Sequence, residues 1–419
     1  MCDVPALRFP EFSDEWEKCL ISDFGMVITG NTPPTKDVDN YKDGIKLWAS
    51  PIDLGKSKWI YDTQTKLSVT GFEKTRKLPQ GAILVTCIGS TIGKMGMATC
   101  EMATNQQINS IITNSDNDKD FVYYAIESKF PKYLTSVAIQ AVPIISKSSF
   151  ERLPNIRTTL TEQKKIGRFL SLIDKRIETQ NKIIEDLKKL KSAIVEALFC
   201  APKESVPAKR LSPYSKDWKL VKLFDICQRI QTKNTGRQCR QVLTIAAQYG
   251  LVNQEDFFNK TVASENLERY YLLQKGDFAY NKSYSGDYAW GAIKRLERYE
   301  QGVLSPLYIC FRPNITKVDA DYLAHYFESK KWYKGIADIA GEGARNHGLL
   351  NISVIDFFNT IHRIPDLEEQ KVIAQFLNKF SSKLSCEQRI MQSLTKQRNY
   401  LLQKMFIGGF YQFHFLFLA

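Results

Sequence analysis

The domain organisation of the chain is predicted from one stretch, residues 159–199, with the sequence TLTEQKKIGRFLSLIDKRIETQNKIIEDLKKLKSAIVEALF. Apolar or long side chains recur along it in alternating steps of four and three residues, which keeps them in one stripe on one helix face. Such a stripe is typical of a coiled-coil seam, along which two helices pack. The seam positions are Ile166, Leu170, Ile173, Ile177, Gln180, Ile184, Leu187, Lys191, Ile194 and Leu198.

The same stretch occurs a second time, without a gap, at residues 366–406. Thr159 with Glu162, and Asp366 with Glu369, have the spacing of capping boxes, which predicts that a helix begins at each place. Two long helices of one design, each closing one half of the chain, predict an internal duplication. Adding 207 to each seam number gives the second seam: Ile373, Leu377, Phe380, Leu384, Glu387, Met391, Leu394, Arg398, Leu401 and Met405.

The segments before the long helices are also related. A motif around Trp16 returns in weaker form around Trp218, at an offset of 202. In both halves, short strand patterns alternate with glycine-rich turns and are followed by one helical pattern. The sequence therefore predicts an α+β fold, in which two globular α/β domains are separated by two long helices packed as an antiparallel coiled coil with a pseudo-twofold duplication. The predicted strands cover residues 81–88, 275–280, 289–293 and 308–311, and the predicted helices cover residues 121–130 and 321–330.

The composition of the chain limits the kinds of partner that it is expected to bind. The 419 residues carry a net charge of +13, which favours a polyanionic partner, with nucleic acid first and an anionic membrane surface second. Nine cysteines without a C-x-x-C pair and four histidines argue against a zinc site and a disulfide scaffold, and so for a reducing cytoplasm. No apolar run approaches the roughly 20 residues that span a bilayer, so no membrane association is expected.

No motif in the chain supports catalysis. The turn at residues 89–94 resembles a phosphate loop, but Ile88 stands where its first glycine belongs and Met95 replaces the metal-binding hydroxyl. Glu127-Ser128-Lys129 resembles half of a nuclease metal site, yet no aspartate lies at suitable spacing, and a surface helix end explains it better. We therefore expect no catalytic residue, no cofactor and no bound metal.

Basic and aromatic residues interleave in both globular halves. For any one such cluster a solvated face is slightly favoured over a binding face, but their presence in both halves of a chain with this charge favours DNA. The clusters are residues 56–59, 294–299 and 330–334.

The arrangement resembles the specificity (S) subunit of type I restriction-modification enzymes. The resemblance rests on Phe9-Pro10-Glu11-Phe12 with Glu15-Trp16, on the strand entries at residues 78–81 and 273–276, and on residues 302–308. Glu162-Gln163-Lys164 and Glu369-Gln370-Lys371 complete it, so it covers nearly the whole chain. The poor match at Pro213-Tyr214 and the tail beyond residue 408 depart from the family pattern.

The resemblance implies a non-catalytic subunit that reads a bipartite site on double-stranded DNA and carries two methylation (M) subunits. Those subunits transfer a methyl group from S-adenosylmethionine to adenine, and restriction (R) subunits cleave DNA with ATP. It divides the chain into a first target-recognition domain (1–152), a spacer helix (153–200), a linker (201–212), a second target-recognition domain (213–363), a second spacer helix (364–407) and a tail (408–419). The alternative is a structural adaptor that does not bind DNA and joins proteins through its coiled coil.

Polar residues beside the duplicated strands are the candidates for reading bases, because amide and cationic side chains at strand exits can make paired hydrogen bonds to base edges. The candidates are Thr91, Lys94, Asn105, Gln106, Gln107, Asn281, Lys282, Ser283, Tyr284 and Arg345. The two halves of the chain differ in sequence between the segments that are repeated, so the DNA site is expected to be asymmetric. The seam is about 48 Å long. After allowance for the width and tilt of the two domains, this length predicts that the centres of the two DNA half-sites lie about one turn of the double helix apart, near 10 base pairs.

The polar seam residues predict how the helices meet. Antiparallel pairing about the middle of the seams places Lys191 opposite Glu387 and Gln180 opposite Arg398, so both layers are complementary. Parallel pairing would place two cations together. Because a polar seam residue is costly without a partner, these four residues are expected to set the register of the coiled coil.

Overall fold

The computed structural model of the chain describes residues 5–136, 143–211, 213–247, 249–258, 266–283, 288–340 and 349–406. It has a mixed α/β architecture and divides into two compact units. The first unit comprises Met1–Lys182 and Gln388–Ala419, and the second comprises Ile183–Glu387. Among the described residues, no helix combines the length and the apolar composition that a membrane span requires.

The first unit is built on a five-stranded sheet with the order β2-β9-β6-β7-β4. A three-stranded sheet (β5-β3-β8) and the antiparallel pair β1-β10 accompany it. Its elements are β1 (Glu17–Leu20), α1 (Ile21–Phe24), β2 (Gly25–Thr29), β3 (Lys46–Ala49), β4 (Trp59–Ile60), β5 (Thr65–Leu67), α2 (Val69–Glu73), β6 (Ile83–Thr86), β7 (Met95–Ala98), β8 (Ala103–Thr104), β9 (Ile108–Thr113), α3 (Lys119–Ser136), α4 (Lys147–Glu151), β10 (Pro154–Arg157) and the start of α5 (Leu160–Leu198).

The second unit has a four-stranded sheet with the order β12-β19-β16-β17 and three two-stranded pairs: β11-β20, β13-β14 and β15-β18. Its elements are the end of α5, β11 (Lys219–Lys222), α6 (Leu223–Ile226), β12 (Cys227–Arg229), β13 (Leu243–Ala246), β14 (Gly250–Asn253), α7 (Gln254–Phe258), β15 (Tyr271–Gln274), β16 (Phe278–Asn281), β17 (Ala292–Arg295), β18 (Gln301–Leu304), β19 (Ile309–Pro313), α8 (Ala320–Tyr326), α9 (Tyr333–Ile339), α10 (Val354–Phe358), β20 (Ile361–Ile364) and the start of α11 (Leu367–Phe406).

The two long helices predicted from the repeat are α5, with 39 residues, and α11, with 40. All twenty seam positions are buried or half-buried, so the predicted stripe is the covered face of each helix. At its ends the stripe joins the globular cores. Ile166, Leu170 and Met405 belong to the core of the first unit, and Leu198 and Ile373 belong to that of the second.

The starts of the long helices differ in part from the predicted capping boxes. Asp366 Oδ1 accepts the N–H of Glu369 at 3.1 Å, as predicted. The two glutamates have another role, since each carboxylate accepts two hydrogen bonds from one arginine. Arg8 donates to Glu162 at 2.7 and 2.8 Å, and Arg210 donates to Glu369 at 2.8 and 2.7 Å. Such fork-shaped pairs hold each glutamate away from the backbone position that a capping box requires.

Two shorter elements also depart from the sequence expectation. The helix predicted at residues 321–330 ends at Tyr326, where the C=O of Tyr326 accepts the hydroxyl of Ser329 at 2.6 Å and the chain turns. The helix predicted at residues 121–130 is longer and runs from Lys119 to Ser136 with Pro131 inside it. Local spacing identified both helices but not their ends, which depend on turn hydrogen bonds and packing.

Candidate nucleic-acid interface

One edge of the first unit's main sheet collects the polar turns that the sequence singled out. β2 and β6 are both antiparallel to β9, so they run in the same direction and end at the same edge. The turn at residues 87–94 leaves β6 there, and the turn at residues 105–107 enters β9 there. Five of the ten predicted base-reading residues therefore lie at this edge, which we call the first-unit edge.

Asn105, Gln106 and Gln107 have different roles at the first-unit edge. Asn105 is 8% exposed, and its Nδ2 donates to Gln107 Oε1 at 2.9 Å while its Oδ1 accepts the N–H of Gln107 at 3.0 Å. Thr32 Oγ1 donates to Gln106 Oε1 at 2.5 Å, and the Gln106 side chain is exposed. Asn105 therefore holds the turn, whereas Gln106 is anchored by its oxygen and keeps an amide nitrogen for an incoming group.

The turn between β6 and β7 is tightly closed. Gly93 N donates to Thr86 O, and Thr86 N donates to Lys94 O, both at 2.9 Å. Gly93 has a φ of +92°, and a Cβ there would lie 2.6 Å from Phe130 Cδ1, so the position requires glycine. Lys94 is exposed, and Thr91 is half-buried. The turn therefore presents one cation and one hydroxyl on a rigid backbone.

The second unit repeats this arrangement. β12 and β16 are both antiparallel to β19, so both end at one edge, which we call the second-unit edge. After β16, Asn281 Oδ1 accepts the N–H of Ser283 at 3.0 Å, and Lys282 O accepts the N–H of Leu350 at 2.9 Å. Asn281 therefore shapes the turn, and Ser283 is exposed at its described end. The remaining two candidates, Tyr284 and Arg345, lie outside the described residues.

The loop that follows β12 leaves the same edge and was missed by the sequence analysis. Ile230 N donates to Cys310 O at 2.9 Å, which extends the hydrogen bonding between β12 and β19 by one residue before the loop leaves the sheet. Residues 235–238 and 240 of this loop are exposed and include Arg237, Gln238 and Arg240. The available sequence signal was Gly236 among polar residues, which marks a turn but not its position at this edge.

In the first unit, the seam cation Arg398 joins three helices. Its Nε donates to Asp174 Oδ1 on α5, and its Nη2 donates to Glu127 Oε2 on α3, both at 2.7 Å. Tyr124 OH donates to the other oxygen of Asp174 at 2.6 Å. Burial alone would lower the pKa of Arg398, but the two carboxylates together raise it above its ordinary value. The predicted partner of Arg398 was Gln180, and the observed partners are carboxylates on α5 and α3.

A buried lysine extends this network. Lys58 Nζ donates to Asp120 Oδ1 and Ser171 Oγ, both at 2.6 Å, and to Tyr124 OH at 3.1 Å. Burial lowers the pKa of the Lys58 ammonium, and the charge of Asp120 opposes that shift. Because Lys58 precedes β4 and Ser171 lies on α5, the network fixes the sheet of the first unit against its long helix.

In the second unit, the matched seam cation Lys191 makes a comparable bond. Its Nζ lies 2.8 Å from Glu328 Oε2, whereas the seam pattern predicts Glu387 opposite it. Glu387 is 7% exposed, and Lys383 Nζ lies 2.5 Å from its Oε1. Glu127 and Glu328 hold the same place in the repeated Glu-Ser-Lys motif. Each seam cation therefore binds a carboxylate from the globular part of its own unit, and the register predicted for the four polar seam residues stays a prediction.

A family model described as the type I restriction modification DNA specificity domain matches residues 13–189 and 215–396. The MjaVIII type I restriction enzyme specificity subunit of Methanocaldococcus jannaschii is 24% identical to the chain over 437 residues, which cover 97% of this chain and 95% of that protein. The HindI specificity subunit of Haemophilus influenzae is 29% identical over 186 residues, which cover 42% of this chain. That second match spans only 39% of the length of the HindI subunit.

Two solved structures share the fold. The crystal structure of a type I restriction-modification system S subunit from M. genitalium matches with a TM-score of 0.59 at 16% identity, and the match covers 97% of this chain and 100% of that one. A second structure comes from work on complex assembly and conformational transition of the type I R-M system. It matches with a TM-score of 0.53 at 14% identity, and the match covers 94% of this chain and 98% of that one. At these low sequence identities, the similarity to the two structures shows a shared fold.

Proposed function

Since the chain belongs to the type I restriction modification DNA specificity family, we propose that it selects the DNA sequence on which a type I restriction-modification complex acts. The observation that carries this proposal is the repeated sheet edge. In each unit, two strands end beside the start of a third, and the turns there present exposed amide, hydroxyl and cationic side chains. These are the groups that hydrogen-bond to base edges in the major groove.

The proposed site is bipartite and asymmetric. The first-unit edge offers Gln106 and Lys94, whereas the second-unit edge offers Lys282, Ser283 and the loop after β12. Because different side chains make different base contacts, each unit reads its own short sequence. The net charge of +13 supplies the attraction to phosphates that any such reading requires.

The finer architecture is part of the proposal. Residues 1–152 and 213–363 act as the two target-recognition domains, and α5 and α11 act as spacer helices that pack antiparallel. Two observations support this pairing. The first unit holds the beginning of α5 together with the end of α11, and the second unit holds the opposite portions. Within the first unit, Asp174 on α5 binds Arg398 on α11, as antiparallel neighbours can.

The chain is proposed to recognise DNA without catalysing a reaction. Two M subunits dock on it and methylate adenine with S-adenosylmethionine, and R subunits join them to cleave DNA. The complex works in the cytoplasm, where the DNA of a bacterial or archaeal cell is found. The similar structure from work on complex assembly and conformational transition of the type I R-M system supports a role within such a complex.

A gel-shift experiment on duplex DNA, with the purified chain and its M subunit, tests the proposal. We expect a shifted complex that distinguishes one duplex from a scrambled duplex of equal length and that weakens steeply as salt rises, because phosphate contacts release counterions. Equal weak binding to both duplexes at low salt, together with a stable complex between the two proteins, would instead support the structural adaptor.

A further inference from the structure

The loop after β12 contains a backbone conformation that arginine rarely adopts. Arg237 has a φ of +54°, directly after Gly236 at +70°. In the left-handed region, the Cβ of an L-residue lies too close to the neighbouring carbonyl. Asp43 is also left-handed, with a φ of +51°, but a short polar side chain such as aspartate can bond locally there. Arginine has no such compensation, so the surrounding structure must hold Arg237 in place.

A fully buried asparagine holds this turn. Asn234 has no exposed surface; its Nδ2 donates to Cys239 O at 2.8 Å, and its Oδ1 accepts the N–H of Cys239 at 2.9 Å. Its backbone N–H donates to Tyr270 O at 3.1 Å, and its C=O accepts the N–H of Arg237 at 3.0 Å. The side chain of Asn234 therefore closes residues 234–239 into a loop, and its backbone N–H ties that loop to Tyr270, directly before β15. The left-handed turn is rigid before any ligand binds.

The Arg237 side chain is exposed, and the described residues include no ion-pair partner for its guanidinium. Arg312, on the neighbouring strand β19, is by contrast bound in a fork to the buried carboxylate of Asp277 at 2.6 and 2.8 Å. Lys233, next to the turn, is also held, because its Nζ donates to Arg269 O at 3.0 Å and lies 3.6 Å from the Tyr271 ring centroid. A strained, clamped turn thus presents a guanidinium that no described carboxylate neutralises.

We propose that Arg237 is a specificity-determining residue of the second unit and reads a guanine in its half of the DNA site. The inference rests on the proposed function and deepens it. The planar guanidinium can donate two parallel hydrogen bonds to O6 and N7 of guanine, a pattern that no other base offers in the major groove. A rigid loop favours this contact because little backbone freedom is lost on binding. The strain is retained because it places the arginine.

The test compares methylomes of cells that express the complete system with wild-type chain, with Arg237→Ala or with Arg237→Lys. We expect a guanine at one position of one half-motif in the wild type. Arg237→Ala should accept other bases there, with preference for guanine reduced by about 5- to 150-fold, the range of one bidentate pair. Arg237→Lys should relax the same position, because a lysine keeps the charge but loses the fork. The other half-motif should stay unchanged in both variants.

A matched control and a stability measurement separate reading from structure. Arg389 is exposed on α11, outside both sheet edges and outside the basic and aromatic clusters, and Arg389→Ala should leave the motif unchanged. Arg237→Gly should raise the thermal midpoint of unfolding by removing strain, yet relax the motif as Arg237→Ala does. A purely structural residue would instead lower the midpoint when replaced.

Two outcomes would overturn the inference while leaving the proposed function intact. One is a bipartite wild-type motif that Arg237→Ala does not alter. The other is uniformly weaker DNA binding with an unaltered motif and a salt dependence reduced by about one phosphate contact, which would assign Arg237 to the DNA backbone. A wild-type system that methylates no bipartite motif would contradict the proposed function itself.

Discussion

Arg398 Nε on α11 lies 2.7 Å from Asp174 Oδ1 on α5, inside the first unit of the chain. The same guanidinium reaches Glu127 on α3, so one side chain ties both long helices to the globular part of that unit. The arginine is only 13% exposed, and its two carboxylates are 16% and 28% exposed. A seam position that would ordinarily hold leucine is therefore the centre of a charged cluster largely removed from water.

Replacing Arg398 with alanine should lower the free energy of unfolding by about 3–5 kcal/mol, because it leaves two carboxylates close together without their cation. Chemical denaturation of the purified chain measures the loss. Arg389→Ala is the matched control: Arg389 lies on the same helix with its side chain exposed, so the change should stay within about 0.5 kcal/mol. Equal small losses from the two replacements would show that the cluster does not stabilise the unit.

The buried His362 predicts loss of stability in mild acid. Tyr326 OH donates to His362 Nδ1 at 2.9 Å, and His362 Nε2 lies 2.8 Å from Thr360 Oγ1, an arrangement that suits a neutral ring. Burial lowers the pKa of His362 from 6.5 to about 4. The unfolded chain therefore binds this proton more readily, and stability should fall as the pH drops from 6.5 to 4, by up to about 3 kcal/mol from this residue.

Denaturation curves at several pH values check this prediction. His362→Phe should be less stable than the wild type at pH 7, since it loses two hydrogen bonds, but its stability should depend less on pH between 6.5 and 4. The difference in slope, rather than the absolute stability, carries the information. An identical pH slope in both proteins would mean that His362 does not titrate in this range.

Asn105 and Gln106 should respond differently to alanine. Asn105→Ala removes the side chain that holds the turn, so it should lower stability by about 1–3 kcal/mol and weaken recognition generally. Gln106→Ala should leave stability nearly unchanged and relax one position in the half-motif read by the first unit. Methylome sequencing of both variants, beside denaturation curves, distinguishes them. A Gln106→Ala variant that alters neither the motif nor the affinity would contradict a base-reading role for Gln106.

Removing one heptad from each long helix should shorten the gap between the half-motifs. Seven residues correspond to about 10 Å of helix, or roughly 3 base pairs of DNA. The half-motifs themselves should not change, because the residues at both sheet edges are untouched. A heptad removed from α5 alone is the control, and it should abolish methylation because the two seams no longer match in length. An unchanged gap in the double deletion would show that the helices do not set the spacing.

The seams were predictable from sequence because their information is local. A four-and-three spacing places residues on one helix face whatever they pack against, and every predicted seam position is covered. The partners of Lys191 and Arg398 were not predictable, because Glu328 and Glu127 come from globular segments whose distance to the seam only the folded chain fixes. The sequence showed that both glutamates recur, but their pairing with the seam is a tertiary property.

For the candidate site, too, the sequence predicted local features but not their tertiary surroundings. Strand ends and polar turns indicated the first-unit edge, and the sheet order brings the predicted residues of that edge together. Sequence could not distinguish the buried Asn105 from the exposed Gln106, since both are amides in one turn. It also missed Arg237, because the position of its loop follows from the parallel directions of β12 and β16, and its strain follows from a clamp by Asn234.

The most direct test of the account is the methylation motif itself, measured by sequencing the methylome of cells that express the chain with its M subunit. We predict adenine methylation in an asymmetric bipartite motif, whose two half-motifs have centres about one helical turn, or near 10 base pairs, apart. Exchanging residues 281–286 for the corresponding loop of another specificity subunit should change one half-motif only. A continuous or palindromic motif, or a loop exchange that alters both halves, would contradict the account.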